Sequence, residues 1–235
     1  MTDQAMIFAA GEGRRMRPLT LSKPKPLLLA GGKPLIVWQL EKLADLGIKK
    51  VVINTSHLGH QLPETLGTGA TWGLQISYSP EKQPLETGGG LLQALPLLAD
   101  SPFLVVNGDT WCSPLPDLKL EPGKLAKLLL VSNPDHHPQG DFYFDQASGK
   151  LGNQVFAKAK AFTFAGISLL APGCLAPQHQ QAAYQRVFSS GEAFALAPLL
   201  RHLVDQELAT AQVHGGDWLD VGTPQRLKQL NGQLA

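Results

Sequence analysis

The sequence predicts an α/β fold: a Rossmann-like, mostly parallel sheet with helices on both faces and a less regular second half. Three observations predict it. Short runs that are apolar throughout, such as AMIFAA (Ala5–Ala10) and FLVVN (Phe103–Asn107), read as strands buried on both sides. Between such runs lie segments with apolar residues at helical spacing. The first run also leads into a glycine-rich loop, AAGEGRRMRPLT (Ala9–Thr20), which holds three of the chain's six arginines.

The elements follow in order. Ala5–Ala10 is the first strand. Pro34–Leu46 is a helix with Ile36, Leu40, Leu43 and Leu46 at helical spacing; Pro34 suits its first turn and Gly47 its stop. Val51–Asn54 is the next strand, and a short helix interrupted by Pro63 is expected after His57. Gln75–Tyr78 alternates as a strand does, Leu91–Leu98 is helical, and Phe103–Asn107 is the fourth strand. The order β-α-β-α-β-α-β implies a parallel sheet covered on both faces. Lys127–Val131 is a further buried strand. Beyond it Asp135–Asp141 reads as a polar loop, Phe142–Phe144 and Phe162–Leu170 as strands, and Leu196–Asp205 and Pro224–Leu230 as helices. No repeat, linker or low-complexity tract divides the 235 residues, so one domain is expected over 1–235.

Composition narrows the function. The chain is 43% hydrophobic and 17% charged, with a net charge of +1. No global field points to nucleic acid or a membrane as partner. No apolar run reaches transmembrane length. Met1–Gln4 lacks a basic lead and Ala5–Ala10 is too short for a signal-peptide core, so a cytoplasmic location is expected. Cys112 and Cys174 stand alone and read as small buried thiols. No H-E-x-x-H string and no Cys/His ligand set is present, which argues against zinc.

The opening loop has three readings. A dinucleotide fingerprint, G-x-G-x-x-G, fits at Gly11 and Gly13, but Met16 holds the third position and no acidic residue ends the second strand. A P-loop fails, because no G-x-x-x-x-G-K-[ST] string exists. The third is a phosphate cradle of another kind. The Ala-Ala-Gly end lets a flat base lie against the backbone, the glycines free N–H groups for phosphate oxygens, and Arg14, Arg15 and Arg17 add permanent charge. A tight turn with a solvated basic face would look the same from these residues. The next segment favours the cradle: KPKPL (Lys23–Leu27) sets Lys25 between two prolines that stiffen the chain, presenting it from an extended segment.

Two aspartates follow apolar stretches. Asp109 stands at the end of the strand in VVNGDT, where open α/β sheets bind ligands, and Asp220 in WLDVGT. Either alone could be a turn residue. Two together, beside a phosphate-type loop, suit Mg²⁺, which takes few oxygen ligands from protein and the rest from phosphates and water.

Taken together, AAGEGRRMRPLTLSKPKPLLLAGGKPLI (Ala9–Ile36), LETGGG, VVNGDT, FAGISLL and WLDVGT resemble the sugar-1-phosphate nucleotidyltransferases over nearly the whole chain. The resemblance implies a nucleotide-diphospho-sugar transferase fold, GT-A-like, with residues 1–131 roughly the nucleotide half and 132–235 the sugar half. It implies an NTP and a sugar 1-phosphate as substrates and Mg²⁺ on Asp109 and Asp220. Arg15 and Lys25 would be catalytic. Ala10, Gly11, Glu12, Gly13 and Arg14 would hold the nucleotide. Leu85 and Gly88 would line the base site through their backbones. Glu81 could accept from an imide N–H of uracil or thymine, or from guanine, so it leaves the base open.

On the sugar side the resemblance implies Asn107, Glu86 and Gly166, the last letting the sugar approach the backbone. The family's V-x-E-K-P stretch is missing: KLGNQVFAKAKAF (Lys150–Phe162) stands in its place, with Asp141, Asn153, Lys158 and Lys160 as candidate substitutes. The short length and this missing motif most resemble the branch that transfers uridylyl groups in bacterial cell-wall recycling. Mannose-1-phosphate guanylyltransferases and glucose-1-phosphate thymidylyl- or uridylyltransferases stay open, as does a nucleotide-sugar-binding regulatory subunit without turnover. With no β-helix of the kind that makes some members trimeric, a monomer or small homo-oligomer is expected.

Overall fold

The computed structural model describes residues 2–234 and builds them around a nine-stranded sheet. Strand β1 (Gln4–Phe8) precedes a two-residue hairpin, β2 (Leu29–Ala30) and β3 (Lys33–Pro34), and helix α1 (Leu35–Asp45). Then come β4 (Lys50–Thr55), α2 (Gln61–Leu66), β5 (Gln75–Pro80), α3 (Glu86–Ala94) and β6 (Phe103–Asn107). These four long strands pair in parallel, in the spatial order β6-β1-β4-β5. The parallel pairing is the one expected for the first half; the spatial order is set by the tertiary fold.

Side-chain alternation explains why the runs are apolar throughout. Ala5 and Ile7 of β1 pack into one core layer, and Met6 packs into the other. Leu104 and Val106 of β6 join the first layer, Phe103 and Val105 the second. Such strands have no water-facing side, so no position favours a polar residue. Helix α1 covers the first layer with Ile36, Leu40 and Leu43. Gly47 follows it at φ +83°, its N–H bonded to the Ala44 carbonyl at 2.9 Å. A left-handed residue closes a helix at little cost when it has no Cβ.

The second half adds β7 (Thr110–Ser113), β8 (Ala126–Val131), β9 (Phe142–Asp145), β10 (Lys150–Gly152) and β11 (Lys160–Leu170). After these come α4 (Pro177–Tyr184), α5 (Ala197–Asp205), β12 (Ala209–Val213), β13 (Asp217–Asp220) and α6 (Pro224–Gln233). Strand β11 runs antiparallel between β6 and β8, so β8 is not a neighbour of the first four strands. β12 lies parallel to β8, and β9 pairs with β11 and β10. β7 and β13 form a separate antiparallel ribbon. Leu199 and Leu203 of α5 pack with Leu91 of α3 in the second core layer. No helix of the described residues is long and apolar enough to cross a membrane. Cys112 and Cys174 are both buried and free.

One expectation is corrected. The helix expected from Leu91 begins at Glu86, so Gly88, Gly89 and Gly90 lie inside α3 rather than in a loop before it. A glycine costs about 1 kcal/mol relative to Ala in a helix, but here nothing larger fits. A Cβ would stand 2.4 Å from the Phe194 ring at Gly88, 2.2 Å from the Glu192 carbonyl at Gly89 and 2.7 Å from Glu81 Oε1 at Gly90. Close packing overrides propensity.

Candidate active site

Beyond β1 the chain runs through Ala9–Gly13 into a single 3-10 turn, Arg14–Met16. The Ala9 N–H donates to Asn54 Oδ1 at 2.7 Å, which ties the loop to β4. Gly13 sits at φ +62°, and a Cβ there would come 2.9 Å from Thr20 Cγ2; the Thr20 hydroxyl donates to its carbonyl at 2.9 Å. The N–H groups of Gly11, Glu12 and Gly13 make no hydrogen bond among the described residues. The loop forms one wall of a cleft of about 380 Å³, to which Ala10, Gly11, Gly13, Arg14 and Arg15 contribute. Free N–H groups on a glycine loop, beside guanidinium groups, make an anion-binding surface.

The loop's three arginines do different things. Glu12 lines none of the clefts described here. Its carboxylate accepts from Arg14 Nε at 2.7 Å and lies 3.6 Å from Arg17. The Arg14 hydrogen bond lowers its pKa. Arg15 makes no ion pair among the described residues. It lines both the first cleft and an adjoining one of about 370 Å³.

Lys25 lines the first cleft. Pro24 is extended, and Lys25–Leu27 form a 3-10 turn instead of the extended segment expected. The Lys25 side chain is 11% exposed, and its Nζ stands 2.5 Å from Asp109 Oδ2. Asp109 links β6 to β7, and in the β7–β13 ribbon Thr110 lies opposite Asp220. The Val221 N–H donates to the Asp109 carbonyl at 2.8 Å. The ribbon thus brings together two aspartates that are far apart in sequence.

Asp220 Oδ2 accepts from Arg226 Nη1 at 2.7 Å. Arg226 belongs to the first turn of α6, where Thr223 caps the helix by accepting from the Arg226 N–H. His136 Nε2 stands 2.9 Å from Arg226 Nη1. A Cβ on Gly222 would come 2.9 Å from Asp220 Oδ1, 3.0 Å from Arg226 Nη2 and 3.1 Å from Arg15 Nη2. The missing side chain lets Asp220, Arg226 and Arg15 converge.

Glu81 lines the first cleft and is 6% exposed. Its Oε1 accepts from Asn54 at 2.7 Å and its Oε2 from the Leu85 N–H at 2.8 Å. Burial pushes its carboxyl pKa up against both hydrogen bonds. The backbones expected to line the base site are otherwise engaged. The Leu85 carbonyl accepts from Phe194 at 3.1 Å, and the Gly88 N–H donates to Phe194 at 2.8 Å. Leu85 and Gly88 therefore bind α3 to the Phe194 segment. Glu86 lines the cleft at φ +59°, a left-handed conformation that costs a non-glycine residue and clusters at functional sites.

Asn107 lines the first two clefts and a third of about 220 Å³. Gly166 sits at φ +72° where β11 changes register, and a Cβ there would come 2.6 Å from Asn107 Nδ2. Asp141 lines the 220 and 370 Å³ clefts; its Oδ2 accepts from the Phe164 N–H at 2.8 Å and its Oδ1 lies 3.2 Å from His137 Nε2. Asn153 is not brought to these clefts. Its Nδ2 donates at 2.7 Å to the Arg201 carbonyl and to Asp205, fastening the end of β10 to α5. Lys158 and Lys160 line none of the three clefts either. His136, His137, Trp218, Thr87 and Arg201, none of them expected from the sequence, also line these clefts. In the sequence, two adjacent histidines within the polar stretch Asp135–Asp141 are the one local signal that could point to them.

The chain is similar in sequence and fold to known proteins. A family model described as nucleotidyl transferase matches residues 4–121. N-acetylmuramate alpha-1-phosphate uridylyltransferase of Neisseria meningitidis is 42% identical over 96% of this chain and 96% of its own. The catalytic subunit beta of mannose-1-phosphate guanylyltransferase of Danio rerio is 30% identical over 94% of this chain and 61% of its own. Among solved structures, the inositol-1-phosphate CTP transferase of T. maritima superposes with a TM-score of 0.70 at 17% identity, covering 99% of this chain and 96% of its own. HddC of Yersinia pseudotuberculosis, complexed with GMP-PN, superposes with a TM-score of 0.72 at 18% identity over 100% of both chains. These two share the fold.

Proposed function

This chain belongs to the sugar-1-phosphate nucleotidyltransferase family, and on that premise we propose that it transfers a uridylyl group from UTP to N-acetylmuramate α-1-phosphate, giving UDP-N-acetylmuramate and pyrophosphate. The observation that carries this reading is the convergence of Arg15, the Lys25–Asp109 pair and Asp220 where the 380 and 370 Å³ clefts meet. The Neisseria relative, similar over 96% of its length, supports the substrate pair.

The chemistry asks for position and charge more than for a protein nucleophile. A phosphate oxygen of the sugar attacks the α-phosphorus in line. The bond from that phosphorus to the bridging oxygen breaks, and pyrophosphate leaves with the electron pair. Lys25, held by Asp109, would offset charge on the α-phosphate or the incoming sugar phosphate. Arg15 would offset charge on the leaving pyrophosphate, with the free N–H groups of Gly11–Gly13 beside it.

The donor set fits Mg²⁺. Asp109 and Asp220 each have one oxygen paired with a cation, and the other makes no hydrogen bond among the described residues. No group of three or more His, Cys, Asp or Glu that could hold a metal stands among those residues. Two carboxylates would leave the remaining positions to substrate phosphates and water, as Mg²⁺ prefers. When bound, the ion would neutralise phosphate charge and orient the two substrates. We place the reaction in the cytoplasm, in bacterial cell-wall recycling.

Pyrophosphate release, measured with four NTPs against the 1-phosphates of N-acetylmuramate, mannose, glucose and N-acetylglucosamine, with and without Mg²⁺, tests the reading. UTP with N-acetylmuramate α-1-phosphate should dominate, and only with the metal. Dominance of GTP with mannose 1-phosphate would transfer the chain to the guanylyl branch. Silence with every pair, alongside binding of nucleotide sugars, would make it a binding module.

A further inference from the structure

Carboxylates account for four of the chain's six arginines: Arg14 and Arg17 lie against Glu12, Arg186 against Glu192 and Arg226 against Asp220. Arg15 and Arg201 make no ion pair among the described residues, and both line clefts. The phosphate loop explains the first. Arg201 stands instead on α5, at the 220 Å³ cleft on the sugar side.

Its surroundings hold the guanidinium in place without neutralising it. Arg201 Nη1 donates to the Asp141 carbonyl at 2.9 Å, and the group lies 5.1 Å from the centre of the Phe142 ring. The rest of the cleft is largely apolar, with Val105, Phe164, Leu196 and Leu200 among its walls. Thr87, Asn107, Asp141 and Ser168 also line it. The Thr87 hydroxyl already accepts from the Leu196 N–H, and the Asp141 carboxylate is held by the Phe164 N–H and His137; Ser168 is 1% exposed, and its Oγ has no hydrogen-bond partner among the described residues. A buried hydroxyl left unpaired is costly, and a ligand atom can satisfy it. The cleft shares Asn107, Asp141 and Gly166 with the 370 Å³ cleft, so a sugar whose phosphate lies near Lys25 and Asp109 can extend into it.

We propose that this cleft reads an acidic substituent of the sugar, with Arg201 as the residue that sets specificity. The guanidinium receives a carboxylate, the apolar walls receive the methyl group beside it, and the Ser168 hydroxyl bonds the same substituent. This rests on the substrate proposed above: N-acetylmuramate carries a lactyl ether with one carboxylate and one methyl group, and N-acetylglucosamine is the same sugar without it. An arginine fork suits a carboxylate, and a site built around that charge discriminates against a sugar lacking it.

The test compares Arg201→Gln, Arg201→Lys and Ser168→Ala with the unmodified protein. Calorimetry would measure affinity for UDP-N-acetylmuramate and UDP-N-acetylglucosamine, and thermal unfolding would verify the fold. Arg201→Gln should weaken the acidic ligand roughly 10- to 100-fold and leave the neutral one unchanged. In turnover the loss should appear in KM for the acidic sugar phosphate, with kcat kept. Arg201→Lys should recover part of the affinity, and Ser168→Ala should lose less than Arg201→Gln. Equal weakening of both ligands, or none for the acidic one, would overturn the proposal. If the unmodified protein does not use N-acetylmuramate α-1-phosphate, the substrate reading fails separately. Glucuronate 1-phosphate against glucose 1-phosphate then decides: an acid preference lost in Arg201→Gln supports the subsite, and no acid preference overturns it.

Discussion

Replacing Lys25 by Met removes one ammonium and keeps most of the side-chain volume. Lys25 is 11% exposed, and its Nζ lies 2.5 Å from a carboxylate that is itself 29% exposed. Two costs follow, and they differ in size. Losing a partly exposed ion pair costs stability on the order of 1 kcal/mol, which lowers Tm by about 2–4 °C in a chain of this length. Losing a cation aimed at charge that develops during transfer costs about 10²–10³ in kcat, or roughly 3–4 kcal/mol. Calorimetry and steady-state kinetics on the same preparation separate the two, and Lys25→Arg should regain part of the rate. A Lys25→Met protein that keeps normal turnover would refute the reasoning. So would one whose activity loss merely follows a large loss of folded protein.

Three more outcomes are expected. Arg15→Ala should lower kcat by about 10²–10³, whereas Arg14→Ala, whose exposed side chain is already held by Glu12, should cost under about fivefold; similar losses in both would show that the loop acts as diffuse charge. Gly89→Ala should destabilise the fold by about 1–3 kcal/mol in urea unfolding, because its Cβ would meet the Glu192 carbonyl oxygen at 2.2 Å, and an unchanged midpoint would contradict the packing argument. Burial pushes the Cys112 thiol up to about 11 and the Cys174 thiol up to about 12. Neither should react with a thiol reagent at pH 8 until denaturant is added, since the thiolate, the reactive form, is then a fraction of about 10⁻³ or less; rapid native labelling would contradict their burial.

The first half was legible because its signals are local. An apolar run such as Phe103–Asn107 becomes β6 over the same residues, and the spacing of Ile36, Leu40 and Leu43 with Gly47 behind them marks α1. Helix α3 was misjudged at its start because the reason for three helical glycines lies in Phe194 and Glu192, distant in sequence. Helix α4 gave little pattern to read: in PQHQQAAY only Gln180 is buried. At the site, Asp109 and Asp220 could be singled out by what precedes them. Their meeting depends on the register of β7 against β13, which no local pattern carries. Arg201 reads in the sequence as one charged residue in a helix; its interest comes from lacking an ion pair among the described residues beside a largely apolar cleft.

On the proposed function, this chain joins a uridylyl group to an acidic amino-sugar phosphate. Phosphorus NMR of the protein incubated with UTP, N-acetylmuramate α-1-phosphate and Mg²⁺ tests it most directly. Paired diphosphate resonances of a UDP-sugar should grow with pyrophosphate while both substrates decline together. Substrate signals that persist unchanged under these conditions, while another nucleotide and sugar phosphate are consumed, would contradict it.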